Sequence, residues 1–117
     1  MDSKCFCRIS ELNKAVLQLE KGLIEMYGLT LNEAMVMCCI GEGRHSAGEI
    51  AEDTGIKPSH LSKVLRSIEG KRLLTREFGD KDKRVIYFAL TAEGGLKLGR
   101  LKKEGPDIPD LLLGFLV

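Results

Sequence analysis

Apolar residues recur at helical spacing through the first quarter of the chain. Ile9, Leu12, Val16, Leu19, Leu23 and Met26 form a seam, widened by Leu17 and Ile24. The pattern predicts a helix from about Ser10 to Tyr27, ended by Gly28. Thr30-x-x-Glu33 has the form of a capping box and opens a second helix through Ile40. That segment is apolar nearly all round (Leu31, Ala34, Met35, Val36, Met37, Cys38, Cys39, Ile40), which predicts the buried centre of the fold. Gly41-Glu42-Gly43 closes it, and Arg44-His45 leaves room for a short strand.

From Ser46 to Leu90 the pattern becomes helix, tight turn, helix, strand, charged loop, strand. Ser46 and Glu49 form a second capping box, and Thr54-Gly55 ends the short helix it starts. Pro58 suits the first turn of the next helix, where its missing N–H would be unpaired anyway. Leu61, Val64, Leu65 and Ile68 mark the buried face of that helix. Ser59, Lys63 and Arg66 then project from the opposite side, with His60 and Ser62 on the flanks and no acid before Glu69. Such a face offers donors to phosphates and base edges without a repelling charge. After Gly70 the period shortens. Leu73–Phe78 and Val85–Leu90 read as strands around the polar loop Gly79-Asp80-Lys81-Asp82-Lys83-Arg84. Thr91 caps a helix through Leu96, Leu98 and Leu101, ending in Arg100, Lys102 and Lys103, where cations complement the dipole. Gly105-Pro106 breaks it. The tail Asp107–Val117 contains LLLGFLV, too apolar to be left facing water.

A helix-turn-helix, a hairpin whose tip reads Asp82-Lys83-Arg84, and a helix start Leu90-Thr91-Ala92-Glu93-Gly94 together resemble the MarR family of bacterial transcription regulators. The resemblance covers roughly residues 8 to 103. It implies a mainly α fold with a small β-hairpin wing (α+β), a winged helix-turn-helix with helical segments for dimerisation at both ends. Residues 1–117 would form one domain, with 46–90 reading DNA and 8–27 and 91–117 joining two copies. The family's wing arginine, which enters the minor groove, corresponds to Arg84, and the acid that orients it to Asp82. Lys81 and Lys83 flank them. Lys57 and His60 would lie near the DNA backbone, and Ser59, Ser62, Lys63 and Arg66 would face the major groove. The partners implied are double-stranded DNA, a second copy of the chain, and a small-molecule effector or oxidant. In this family the regulator is most often a repressor. The last helix here is short and broken early, a departure from the longer, interlocked ends of the family.

Charge and composition sharpen this picture. Net charge is only +1, but Lys57–Arg84 holds nine basic and four acidic residues, a net +5 against −4 elsewhere. One domain of 117 residues can bury a core. No apolar run approaches the length of a membrane span, and MDSKCFCRIS lacks the apolar centre of a signal peptide. A cytoplasmic protein without a membrane partner is the expectation. Four cysteines occur as Cys5-x-Cys7 and Cys38-Cys39. Structural disulfides are not expected in a reducing compartment. Cys38 and Cys39 read as core residues of an apolar helix, and Cys5 and Cys7, in the N-terminal segment, as the candidates for a redox response. No C-x₂-C or H-x₃-H spacing points to a metal, and no cofactor is implied. His45 and His60 are too few for a metal cluster. G-x-S-x-G, a phosphate-binding Gly-Lys-Ser/Thr loop and H-E-x-x-H are all missing, so no enzyme is expected. The rival reading is a winged-helix protein–protein interaction module without specific DNA binding. The steep salt dependence of phosphate neutralisation would distinguish the two.

Overall fold

Asp2 opens the first helix, α1 (Ser3–Tyr27), its carboxylate accepting the Cys5 N–H at 3.1 Å. The helix therefore begins seven residues before the Ser10 start that the apolar seam predicts. Ser10 lies inside the helix, its hydroxyl donating back to the Phe6 carbonyl at 3.1 Å. Cys5 and Cys7 thus lie within the first turns of α1 rather than in a flanking segment. Gly28, with φ 66°, ends the helix in the left-handed conformation that glycine adopts without steric cost.

The computed structural model describes residues 1–117 and comprises two units, residues 1–31 with 104–117, and residues 32–103. In the first unit, α1 packs against α6 (Asp110–Leu116). The connecting chain lies close to α1. A Cβ on Gly22 would stand 2.7 Å from Pro106 Cβ, and the Tyr27 hydroxyl donates to the Glu104 carbonyl at 2.5 Å. Only Leu112 of the apolar tail is buried; Leu111, Leu113, Phe115, Leu116 and Val117 remain exposed. On α1 the exposed apolar residues are Phe6, Ile9, Leu12, Leu17, Ile24 and Met26. Half of the seam read from the sequence is therefore uncovered in the single chain.

The second unit contains nearly all of α2 (Leu31–Ile40), then β1 (Arg44–Ser46), α3 (Ala47–Thr54), α4 (Pro58–Gly70), β2 (Leu74–Phe78), β3 (Ile86–Leu90) and α5 (Ala92–Lys103). Glu33, Ala34, Val36, Met37 and Ile40 of α2 are buried, but Cys38 is exposed and Cys39 half-buried. This corrects the reading of both cysteines as core. Cys38 lies in the last turn of α2 and is exposed there, although Ala34, one turn earlier on the same side, is buried. Glu33, in the first turn of α2, places its carboxylate against the end of α4. The capping box of α3 is present as expected: Ser46 Oγ accepts the Glu49 N–H at 3.2 Å and Glu49 accepts the Ser46 N–H at 3.1 Å. Gly55, at φ 76°, makes the turn into α4.

α4 buries Leu61, Val64, Leu65 and Ile68 among Val36, Met37, Ile40 and Ile50 in the core of this unit. The helix ends at Gly70, but Gly70 is not the left-handed residue of the turn that follows. The left-handed residue is Arg72 (φ 62°), with Leu73 N–H returning to the Ile68 carbonyl at 3.2 Å. The sheet order is β1-β3-β2, all antiparallel. Leu74 pairs with Leu90 and Phe78 with Ile86, while Arg44 to Ser46 pair with Ala89 to Tyr87 on the other edge of β3. Thr91 ties α5 to the base of the wing. Its hydroxyl donates to the Arg72 carbonyl at 2.8 Å and accepts the Gly94 N–H at 3.0 Å. A Cβ on Gly94 would stand 2.2 Å from the Leu73 carbonyl oxygen, so this approach requires glycine.

Candidate nucleic-acid interface

Four buried residues at helical spacing fix which side of α4 faces outward. Ser59, His60, Ser62, Lys63 and Arg66 are all exposed, and Lys57 is exposed at the N-cap. No acidic side chain interrupts them before Glu69. The side chains of Lys57, Ser59, Lys63 and Arg66 are free of partners within the chain. Two of the expected contacts are partly committed. Ser62 Oγ donates to the Pro58 carbonyl at 3.2 Å, and His60 Nε2 lies 3.1 Å from Asn32 Nδ2. Each keeps one further hydrogen-bonding position.

The wing loop is held by its own backbone. Gly79 N–H donates to the Val85 carbonyl at 2.9 Å and Val85 N–H to the Asp82 carbonyl at 3.1 Å. A Cβ on Gly79 would lie 2.6 Å from the Asp82 carbonyl oxygen, so the loop closes only over glycine. Asp82 accepts the Arg84 N–H at 3.0 Å, Arg84 Nε at 3.1 Å and Arg84 Nη2 at 3.3 Å. Those bonds, the side-chain ones first and the backbone one second, hold the Asp82 carboxyl below its ordinary value. The Arg84 side chain is nonetheless 92% exposed, a cation with a fixed direction and an open outer edge. Lys81 and Lys83 flank it, exposed and without partners in the chain.

Three charged residues that the sequence pattern does not assign to this surface brace it. Arg76 on β2 forms a bidentate pair with Glu69 at the end of α4, at 2.9–3.1 Å, and stacks over Phe88 at 5.5 Å. Glu69 is unfavourable at a helix C-terminus, and Arg76 offsets it. The Glu69 pairing also raises the Arg76 guanidinium above its ordinary value. Arg44 on β1 lies over the Tyr87 ring at 4.5 Å, with Glu77 at 3.8 Å and Asp80 at 3.6 Å, beside a cavity of about 290 Å³ under the wing loop. Glu33 on α2 meets Ser67 and Lys71 of the α4 end. These pairs cross between elements, so no local periodicity marks them.

The cysteines divide in two. Although Cys38 is exposed, partial desolvation of its thiol pushes it up, with Lys102 opposing. Burial and then a hydrogen bond to Asp53 at 3.5 Å push Cys39 up. Both are poor thiolates at neutral pH. Cys5 and Cys7 are exposed. No group of three His, Cys, Asp or Glu side chains is arranged to hold a metal, and no single helix is long and apolar enough to cross a membrane.

An exposed basic helix in a helix-turn-helix, followed by an antiparallel hairpin with a cationic tip, defines the chain's class: a winged helix-turn-helix DNA-binding regulator. Residues 18–101 match the family described as transcriptional regulator SarA/Rot. The chain belongs to that family, within the MarR-type winged helix-turn-helix regulators. It is similar to the HTH-type transcriptional repressor MdtR of Bacillus subtilis (strain 168), 35% identical over 94 residues, 80% of this chain and 61% of that protein. The chain thus spans about three-fifths of the length of that relative. Among solved structures it resembles YusO from Bacillus subtilis (27% identity, TM-score 0.70, covering 98% of this chain and 82% of that one). It also resembles AbsC, a MarR family transcriptional regulator from Streptomyces coelicolor (26% identity, TM-score 0.77, covering 90% and 75%).

Proposed function

We propose that the protein acts as a homodimeric, sequence-specific transcriptional repressor that reads a palindromic operator. The observation that carries this reading is the pairing of an acid-free, exposed α4 face with a wing arginine held in one direction by Asp82. Ser59, Ser62, Lys63 and Arg66 address base edges and phosphates in the major groove, and Lys57 and His60 address the backbone. Arg84, flanked by Lys81 and Lys83, enters the adjacent minor groove, where a narrow A·T-rich segment concentrates negative potential.

The dimer rests on the uncovered apolar residues of α1 and α6, which a second copy would shield. Segments 8–27 and 91–117 are its interface, and 46–90 the reading part. A repressing role is supported by the name of the Bacillus subtilis relative. An effector, either a small ligand or an oxidant acting at Cys5 or Cys7, would regulate by changing the distance between the two α4 helices.

Fluorescence anisotropy on labelled duplexes at several salt concentrations tests this function. Affinity should fall steeply with salt, as neutralised phosphates release counterions. Lys63→Ala and Arg66→Ala should each weaken binding and reduce the salt slope by about 1 while leaving the melting temperature unchanged. Binding indifferent to salt, or variants that bind like the parent, would contradict the assignment and favour a protein-docking role for the same surface.

A further inference from the structure

We propose that Glu33 and Lys71 are a positioning pair that sets the angle at which α4 is presented to DNA, serving sequence discrimination rather than stability. The inference rests on the DNA-reading function proposed above.

Glu33 is the one buried charged side chain of the molecule, 2% exposed. Its carboxylate accepts Lys71 Nζ at 2.6 and 2.8 Å and Ser67 Oγ at 2.8 Å. The Lys71 side chain is 37% exposed, so the anion is desolvated while the cation keeps part of its hydration. Desolvation of the carboxylate offsets most of the attraction in such a pair, and apolar residues of similar volume often serve stability as well or better. What apolar residues do not supply is direction. A carboxylate bonded to three donor contacts admits one position of the α4 end, whereas apolar surfaces tolerate sliding.

The neighbouring residue acts at the other end. Asn32 Nδ2 lies 3.1 Å from His60 Nε2. His60 and Lys71 are about 16 Å apart along the helix axis, at ~1.5 Å per residue. Adjacent residues of α2 thus grip α4 at two well-separated points, and two points define an orientation. Lys63 and Arg66 fall between them in sequence. Arg76 grips the same end of α4 through Glu69 and ties it to the wing. A small rotation of α4 would misplace its side chains on base edges, whose hydrogen bonds are directional. Contacts to phosphates would adapt.

The test uses the full chain with Glu33→Met and Lys71→Leu together, a change that leaves net charge unaltered, and the scrambled duplex reports any change in the counterion contribution. Affinity is measured for the duplex best bound by the parent and for a scrambled duplex of equal length, beside the melting temperature. The expected result is a melting temperature at or above the parent's, unchanged affinity for the scrambled duplex, and a preference for the cognate duplex reduced about tenfold or more. A folded variant that discriminates as the parent does overturns the proposal, and so does an equal loss on both duplexes. Should the apolar pair fail to fold, Glu33→Gln carries the test. Its carbonyl still accepts from Ser67, and an unchanged preference again overturns the proposal, while a selective loss on the cognate duplex supports it. A parent that binds both duplexes equally overturns the DNA-reading function and this inference with it. A discriminating parent with an equally discriminating variant overturns the inference alone.

Discussion

A surface arginine normally samples many rotamers, and ordering it on a ligand has an entropic cost. Arg84 is ordered beforehand by Asp82 while its outer edge stays open. Arg84→Ala is therefore expected to weaken DNA binding by at least about fivefold with little change in melting temperature, and Asp82→Ala to act in the same direction but less. Lost stability with unchanged DNA affinity would mark the pair as a plain surface bridge. The pH behaviour follows from the sign of the shift. Asp82 is held below its ordinary value, so the pair is intact at neutral pH and is lost only as pH falls through that lowered value. A carbon-detected NMR titration should give Asp82 a midpoint below the usual aspartate range, and Arg84→Ala should move it upward. A midpoint in the usual range in the parent would contradict the pairing. At Cys38 and Cys39 the thiols are pushed up, so both should alkylate more slowly than free cysteine at neutral pH and faster as pH rises. Mass spectrometry of timed iodoacetamide reactions checks this, and rapid labelling of either at neutral pH would contradict it.

The start of α5 carries a sharp pair of expectations at the level of elements. Gly94 lies against the Leu73 carbonyl, whereas a Cβ on Gly95 meets nothing within 4 Å. Gly94→Ala must push backbone apart and should destabilise by about 1–3 kcal/mol. Gly95→Ala gains helix propensity, up to ~1 kcal/mol, and should stabilise. Urea unfolding of both variants measures the contrast; two equal effects would show that α5 does not press on the wing base. The same contrast shows what a sequence discloses. The caps of α3, the face of α4 and the wing tip were legible because each is encoded within a few residues, by hydrogen-bonding side chains at fixed offsets or by a period of 3.6 or 2. The start of α1 was hidden because the apolar seam begins only at Ile9, while the cap, Asp2, lies a further two turns upstream. Arg72 was hidden because a positive φ at a non-glycine residue leaves no mark in the sequence. Glu33–Lys71 and Glu69–Arg76 join elements whose packing no local pattern reports, and α2 looked uniformly apolar although its Cys38 is exposed.

Across the whole molecule, the apolar residues left uncovered on α1 and α6 set the next expectation. α6 docks on α1 through Leu112 but leaves Leu111, Leu113, Phe115, Leu116 and Val117 outside. If these join two copies, removing Pro106–Val117 should give monomers or aggregates in sedimentation. It should abolish cooperative binding to a full site before it lowers affinity for random DNA. A truncated chain that stays dimeric and binds the full site normally would leave the α1 face as the interface. The central claim, that two copies of α4 and its wing read a symmetric DNA sequence, is tested most directly by selecting bound duplexes from a random pool. One enriched palindrome is expected, its half-site centres separated by about one helical turn, roughly 34 Å, with A·T-rich steps where Arg84 would enter the minor groove. A pool that shows no enriched sequence after repeated selection, or enriches only a single unrepeated half-site, would contradict it.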